Sequence, residues 1–286
     1  MSGDLVTAFL VASWAMATPL LLAGIGELVS ERAGVLNIGL EGIMLAGAFG
    51  AFVASERAGS PWLGLLAAPV IGGAVAATFA WLVVRLRVDA VVAGMALNLV
   101  CFGATAVGLG LSANSDAALG GARLIEPLPR YVLPTCAFLL VPMVAWFLRR
   151  TRPGLRLRAC GEDPVAARAV GVSVDRVRMA AVVFGGALAA AGGAHLVLVE
   201  SRTFVEEMTA GRGFMALAVV VCGRWSPVGV WIAALAFGGV TALQFQFQAR
   251  GTEVPYQLML ALPYIVTIAV LAGFAGRARA PAGLGQ

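Results

Sequence analysis

A few polar residues interrupt stretches that are otherwise apolar, and their types limit the chemistry available. Glu27, Glu31, Arg32, Asn37 and Glu41 fall close together, Asn98 and His195 each lie inside an apolar run, and Gln244 and Gln248 share one helix face at i, i+4. An ionisable or amide group within a bilayer is costly, so it pairs with a neighbour or lines a polar path. Asn37, Glu41, Asn98, Gln244 and Gln248 are therefore candidates for the lining of a translocation path. The competing reading is interhelical hydrogen bonding that fixes a bundle, and it is preferred for Asn98 and Gln244. Glu27, Glu31 and Arg32 read as a local cap and ion pair at the cytoplasmic face, and His195 as a packed or interfacial histidine.

Enzymatic chemistries are closed off by composition. Every basic residue is Arg, and without Lys there is neither a Walker A phosphate loop nor a Schiff-base nucleophile. His-Glu-x-x-His is absent, and one His does not supply an imidazole metal cage within one chain. Cys101, Cys136, Cys160 and Cys222 have no metal or redox spacing and read as small packing residues. No catalytic residues and no metal are expected.

The elements that must position these residues are membrane spans. Of 286 residues, 60% are hydrophobic and 12% charged, with mean hydropathy +0.91. A soluble domain carries about 25% charged residues. Several apolar runs approach the roughly 20 residues that cross a bilayer. The expected spans are Leu5–Leu22, Leu36–Ser55, Pro61 to Val84, Val88–Leu111, Tyr131–Leu148, Met179–Val199, Gly213–Gly223, Val230–Phe247 and Val254–Phe274. The first lacks a basic leader and reads as a retained span rather than a signal peptide. Gly213–Gly223 is short, so it either crosses or re-enters; a crossing is preferred because it keeps Arg277 and Arg279 on the cytoplasmic side, and any break in it must face protein or a water-filled path. Trp14, Trp62, Trp146 and Trp225 lie towards span ends, where aromatic belts are expected. No convincing internal repeat is visible. The fold class is an all-α polytopic membrane protein, a single domain over 1–286, with about nine transmembrane helices (8–10).

Charge is concentrated in the loop 149–178. It holds Arg149, Arg150, Arg152, Arg156, Arg158, Arg168, Arg176 and Arg178 against Glu162, Asp163 and Asp175, an excess equal to the +5 of the whole chain. Such a loop reads as cytoplasmic rather than as a nucleic-acid patch, which places the N-terminus outside and the C-terminus inside. Within it, Asp163 suits a helix N-cap, Pro164 the first turn and Gly171 the left-handed position after the end. A two-turn helix over Pro164–Val170 cannot hold itself in water, so it needs a surface to lean on. It is either a capped surface helix between two spans or a docking element.

These residues carry a resemblance. Glu31-Arg-Ala-Gly-Val-Leu-Asn-Ile-Gly-Leu-Glu-Gly42, Leu97-Asn98, Arg158-Ala-x-Gly-Glu-x-Pro-x-Ala-Ala-x-x-x-Gly-Val172, Gly211-Arg-Gly-Phe214, Gly223-Arg-Trp225 and Leu262-Pro-Tyr264 resemble permease subunits of ATP-binding-cassette importers. The branch is the one for branched-chain amino acids, sugars and nucleosides, and the version here is closest to nucleoside or simple-sugar permeases. The resemblance implies a type II importer permease in the bacterial inner membrane, itself non-catalytic. Its partners would be a separate ABC ATPase subunit carrying ATP and Mg, a second, paralogous permease, an extracytoplasmic binding lipoprotein and membrane lipid, with no nucleic acid. It also implies that Gly161, Glu162, Asp163, Pro164, Ala166, Ala167 and Gly171 couple to the ATPase through helix 163–171. Cys160 and Arg168 depart from the commonest version of the motif. The alternative is an ion-coupled secondary transporter of small polar solutes.

Overall fold

The computed structural model describes residues 2–116, 125–249, 265, 268 and 280–285. Ten α-helices follow in order: α1 Ser2–Arg32, α2 Leu40–Ala58, α3 Pro61–Ala80, α4 Ala90–Asp116, α5 Val132–Arg150, α6 Arg152–Glu162, α7 Pro164–Ala169, α8 Val174–His195, α9 Arg212–Cys222 and α10 Pro227–Ala249. α3 continues through a π-helical turn at Trp81–Arg85, and α8 through another at Leu196–Ser201. Among the described residues, six helices are long and apolar enough to cross a membrane: Phe9–Arg32, Pro61–Arg85, Ala90–Leu111, Val132–Arg150, Val174–Ser201 and Pro227–Gln248. The expected span Val254–Phe274, Leu262-Pro-Tyr264 and most of the loop around 117–124 lie outside the described residues.

Several expected boundaries move. The first helix does not end at Leu22: α1 runs on to Arg32, and Gly26 lets it lie directly on α8. A Cβ on Gly26 would stand 2.4 Å from the Gly185 carbonyl oxygen. The expected spans Leu36–Ser55 and Gly213–Gly223 form helices, α2 from Leu40 after a non-helical stretch over 35–39 and α9 from Arg212, but neither is among the six long enough and apolar enough to cross. The basic loop holds two helices rather than one. Thr151 caps α6 by accepting from Gly154 N–H at 3.1 Å, and Pro153 suits its first turn.

α1 and α8 form the centre of the bundle and cross antiparallel, with Gly26 on Gly185, Pro19 on Gly192, and Ser30 Oγ within 3.4 Å of the Ala181 carbonyl. Small residues allow this backbone contact, which replaces the hydrophobic drive that lipid does not supply. α3 then leans on α8 where Gly72 meets Ala190 and Gly186, and α10 leans on α1 where Gly238 meets Ala17.

That correspondence is written in the sequence, contrary to the expectation of no repeat. Ser60-Pro61, Ala67-Ala68 and Gly72-Gly73 recur at identical spacing as Ser226-Pro227, Ala233-Ala234 and Gly238-Gly239. The segments α1–α3 and α8–α10 thus repeat one arrangement in opposite directions. α4 stands at the periphery, with Val92, Leu99 and Leu111 each more than 60% exposed, as suits a lipid-facing helix.

Candidate functional site

Two places gather the residues that the sequence singles out. The first is where α2 and α9 begin. α9 is short, at 11 residues; both helices start after non-helical backbone, and their N-termini meet. The Glu41 carboxylate accepts from Gly211 N–H at 2.8 Å and Gly213 N–H at 2.6 Å, satisfying two orphan donors at the start of α9. Gly213 is required there, since a Cβ would lie 2.5 Å from Glu41 backbone atoms. On the other side of α2, Asn98 Oδ1 accepts from Gly42 N–H at 2.8 Å while Asn98 Nδ2 donates to the Ile38 carbonyl at 3.0 Å. Asn37 Oδ1 accepts from Gly39 N–H, and Asn37 N–H donates to Glu27 Oε1 at 2.8 Å. Asn37, Glu41 and Asn98 are all buried. Their oxygens serve backbone that would otherwise lie unpaired at membrane depth. Gln244, buried, and Gln248, half-buried, lie apart on α10.

The second place is the end of the bundle that carries α6 and α7. Glu31 and Arg32 do not pair with each other. The Trp225 indole N–H donates to Glu31, and the Arg32 guanidinium donates to the Trp225 carbonyl, at 2.9 Å from Nε. Trp225 is therefore buried between helices rather than placed in an aromatic belt; Trp14, Trp62 and Trp146 remain exposed. Glu27 and Glu31 lie one turn apart on α1, both buried, and Glu27 Oε1 is the acceptor of the Asn37 N–H. Arg32 also reaches Glu162 at 3.7 Å, tying α1 to the end of α6. Gly161 sits against the Arg32 carbonyl, where a Cβ would come within 2.2 Å.

α7 begins as its residues predict. Asp163 Oδ1 accepts from Val165 N–H at 3.0 Å and Ala166 N–H at 2.9 Å, Pro164 opens the first turn, and Gly171 takes φ +81°. Of the residues expected to couple, Glu162, Asp163, Ala166 and Gly171 are exposed, and Pro164 is half-buried. Gly161 and Ala167 are buried. Ala167 points inward onto Cys160 and Val174 and so holds α7 down. The outer face carries two residues the sequence reading passed over, Val165 at 73% and Val170 at 79% exposed. Their signal was available: apolar residues flanking an i, i+1 alanine pair on a helix too short to bury more than one face.

The two departures from the commonest motif have local reasons. Arg168 pairs with Asp175 at 3.2 Å across the α7–α8 turn. Cys160 is buried, and burial pushes its thiol above the ordinary value of 9.0, partly offset by Arg178 and Arg168. A last contact comes from the segment 280–285. Gly283 N–H donates to the Gly161 carbonyl at 2.8 Å, Gly285 N–H to Gly34 at 3.2 Å, and Arg178 to both the Ala33 and Gly283 carbonyls. Among the described residues no group of three or more His, Cys, Asp or Glu side chains could hold a metal ion.

The apolar helices, their small-residue crossings and the interior polar residues together define a multi-pass membrane protein of the permease class. The chain belongs to the family described as branched-chain amino acid transport system / permease component, which it matches over residues 9–271. It is 36% identical to the nucleoside ABC transporter permease protein NupC of Lactococcus lactis, over 92% of this chain and 91% of that one. It is 34% identical to the guanosine ABC transporter permease protein NupQ of Bacillus subtilis, over 94% and 92%. It is 39% identical, over 89% and 88%, to TsgC13 of Haloferax volcanii, whose name assigns it provisionally to glucose. No solved structure matches the chain.

Proposed function

We propose that this chain is the membrane subunit of an ABC importer for a nucleoside, with a simple sugar as the second substrate class, and that α7 is its docking helix for a separate ATPase. The observation that carries the coupling role is the build of α7. It is anchored inward by Ala167 and held at its base by Asp163 and Gly161, yet Val165 and, just past its end, Val170 are left exposed among the described residues. An ATPase that grips that face moves α1, because Glu162 is paired to Arg32. ATP then shifts the equilibrium only in so far as the ATP-bound partner prefers one arrangement of α7 over the other.

The α7 end faces the cytoplasm. Arg85 and Arg87, Arg149 and Arg150, and the α6–α7 region all lie at that end, whereas the other end holds Arg57, Arg130 and Arg202. The N-terminus is then outside. A second permease completes the path, and a paralogue fits that role. Bacillus subtilis NupP and Haloferax volcanii TsgB13 are also similar to this chain, at 28% each, but are covered over only 70% and 74% of their length. A longer partner of that kind would give a heterodimer, with an extracytoplasmic lipoprotein delivering substrate.

The test is ATP-driven uptake of guanosine and of glucose by the reconstituted importer, with the chain carrying Val165→Asp and Val170→Asp. The expected result is normal membrane insertion, lost co-purification of the ATPase and uptake reduced at least tenfold. Wild-type uptake by this variant overturns the docking role. Wild-type uptake that survives ATP depletion but stops when the pH gradient is collapsed overturns the importer reading in favour of an ion-coupled carrier.

A further inference from the structure

On the side of the bundle, where α5 and α8 diverge above α6, lies a cleft of about 590 Å3. Val29, Val144 and Ala181, all buried, form its floor, and Trp146 and Phe184 flank it with exposed rings. Arg156 is the one charged residue on its lining and closes the α6 end. The volume falls within the range of ligand clefts, about 300–1,000 Å3, but the walls offer almost nothing for a polar solute to bond.

Charge gathers at one end of this cleft. Arg149 and Arg150 follow Trp146 by three and four residues on α5, so they stand one turn beyond its ring. Arg152 precedes Arg156 by one turn on the same face of α6. All four are exposed, and none has a carboxylate partner among the described residues. Nearby arginines are different: Arg32 is paired with Glu162, and Arg168 with Asp175.

We propose that this cleft is a binding site for an anionic phospholipid, with an acyl chain along Val144 and Phe184 and the headgroup phosphate held by Arg156 and Arg152. The charge decides the occupant. A row of unpaired guanidiniums at the membrane end of an apolar slot selects a phosphate that carries its own hydrocarbon chain, and basic pockets between transmembrane helices take anionic headgroups on the cytoplasmic side. Guanidinium geometry favours bidentate contact with phosphate oxygens. Bound there, the lipid would brace the corner between α5 and α6, and α6 carries α7. The site is independent of which solute is transported.

The experiment exchanges the purified importer into detergent with an equimolar mixture of phosphatidylglycerol and phosphatidylcholine, and counts retained lipid by native mass spectrometry. Wild type should retain phosphatidylglycerol several-fold over phosphatidylcholine. Arg152→Glu with Arg156→Glu should abolish the preference, and Ala180→Trp, which fills the cleft and leaves every charge in place, should abolish retention. Equal retention of both lipids by wild type overturns the proposal. So does undiminished phosphatidylglycerol retention in Ala180→Trp, which would mean attraction to the basic surface without a cleft. A second measurement, which leaves the charges and the volume of the cleft floor unchanged, is quenching of Trp146 fluorescence by brominated chains, taken as the difference between wild type and Trp146→Phe. Brominated phosphatidylglycerol should quench more strongly than brominated phosphatidylcholine, and equal quenching overturns the site.

Discussion

Glu41, Asn98 and Asn37 show what a polar residue does when a membrane protein breaks its helices. Each accepts from backbone N–H groups that have no helical partner. Glu41→Ala would strip the acceptor from Gly211 and Gly213 and should cost about 1–3 kcal/mol, the usual penalty of a buried donor left unpaired. Glu41→Gln keeps one acceptor and should cost less; the thermal midpoints of the purified variants measure the difference. Residue types and positions identified these three side chains as special. They could not reveal whether the polar atoms face a solute or the chain's own backbone, because that depends on where Gly211 returns to, 170 positions later. Cys160 gives a pH prediction at the same scale. Its thiol is held above 9.0 by burial, so the folded state disfavours the thiolate. Its contribution to stability is level below pH 9.0 and falls as pH rises through the folded value. Maleimide labelling in native vesicles should therefore be slow at neutral pH and rise only in alkali, and fast labelling at pH 7 would contradict the burial.

At the scale of elements, α7 was the most legible part of the chain. An N-cap Asp, a Pro at the first turn and a Gly at the left-handed end are local signals, and all three hold. Asp163→Ala should destabilise α7 by about 0.5–2 kcal/mol. Because α7 is so short, the expected readout is increased proteolysis at 163–171 and reduced ATPase binding rather than global unfolding. α6 was not legible as a helix, since Arg-rich composition hid its amphipathic pattern and its cap depends on Thr151 choosing an extended backbone. The inward face of Ala167 was also hidden: two adjacent alanines look alike until α8 supplies Val174 on one side only. Glycine contacts give a paired prediction. Gly26→Ala places a methyl 2.4 Å from the Gly185 carbonyl oxygen and should separate α1 from α8, lowering the thermal midpoint and the yield of folded protein. Gly110→Ala on α4 meets nothing within 4 Å and should be neutral or slightly stabilising.

For the whole molecule, the repeat of α1–α3 in α8–α10 sets two functional requirements at once. Antiparallel copies bring α2 and α9 together by their N-termini, while the α6–α7 excursion between the copies lies at one end only. On the proposed function the α6–α7 end is where a partner ATPase would take hold, whereas the repeat alone would also suit an ion-coupled carrier. Single cysteines at Ala166 and at Ala58 should label from opposite sides of inverted and right-side-out vesicles; labelling from one side would contradict the antiparallel arrangement. Composition alone established an apolar, membrane-embedded chain without Lys, because transfer energies and residue inventories are properties of residues regardless of where they lie. Cap and turn signals established α7 for a similar reason, being interactions within a few positions. What only the tertiary structure decided is which polar groups face each other, which side of α7 is outward, and that the two halves run in opposite directions. Those depend on contacts between segments far apart in the chain, and in a bundle of near-uniform apolar helices the one-dimensional pattern carries little record of them.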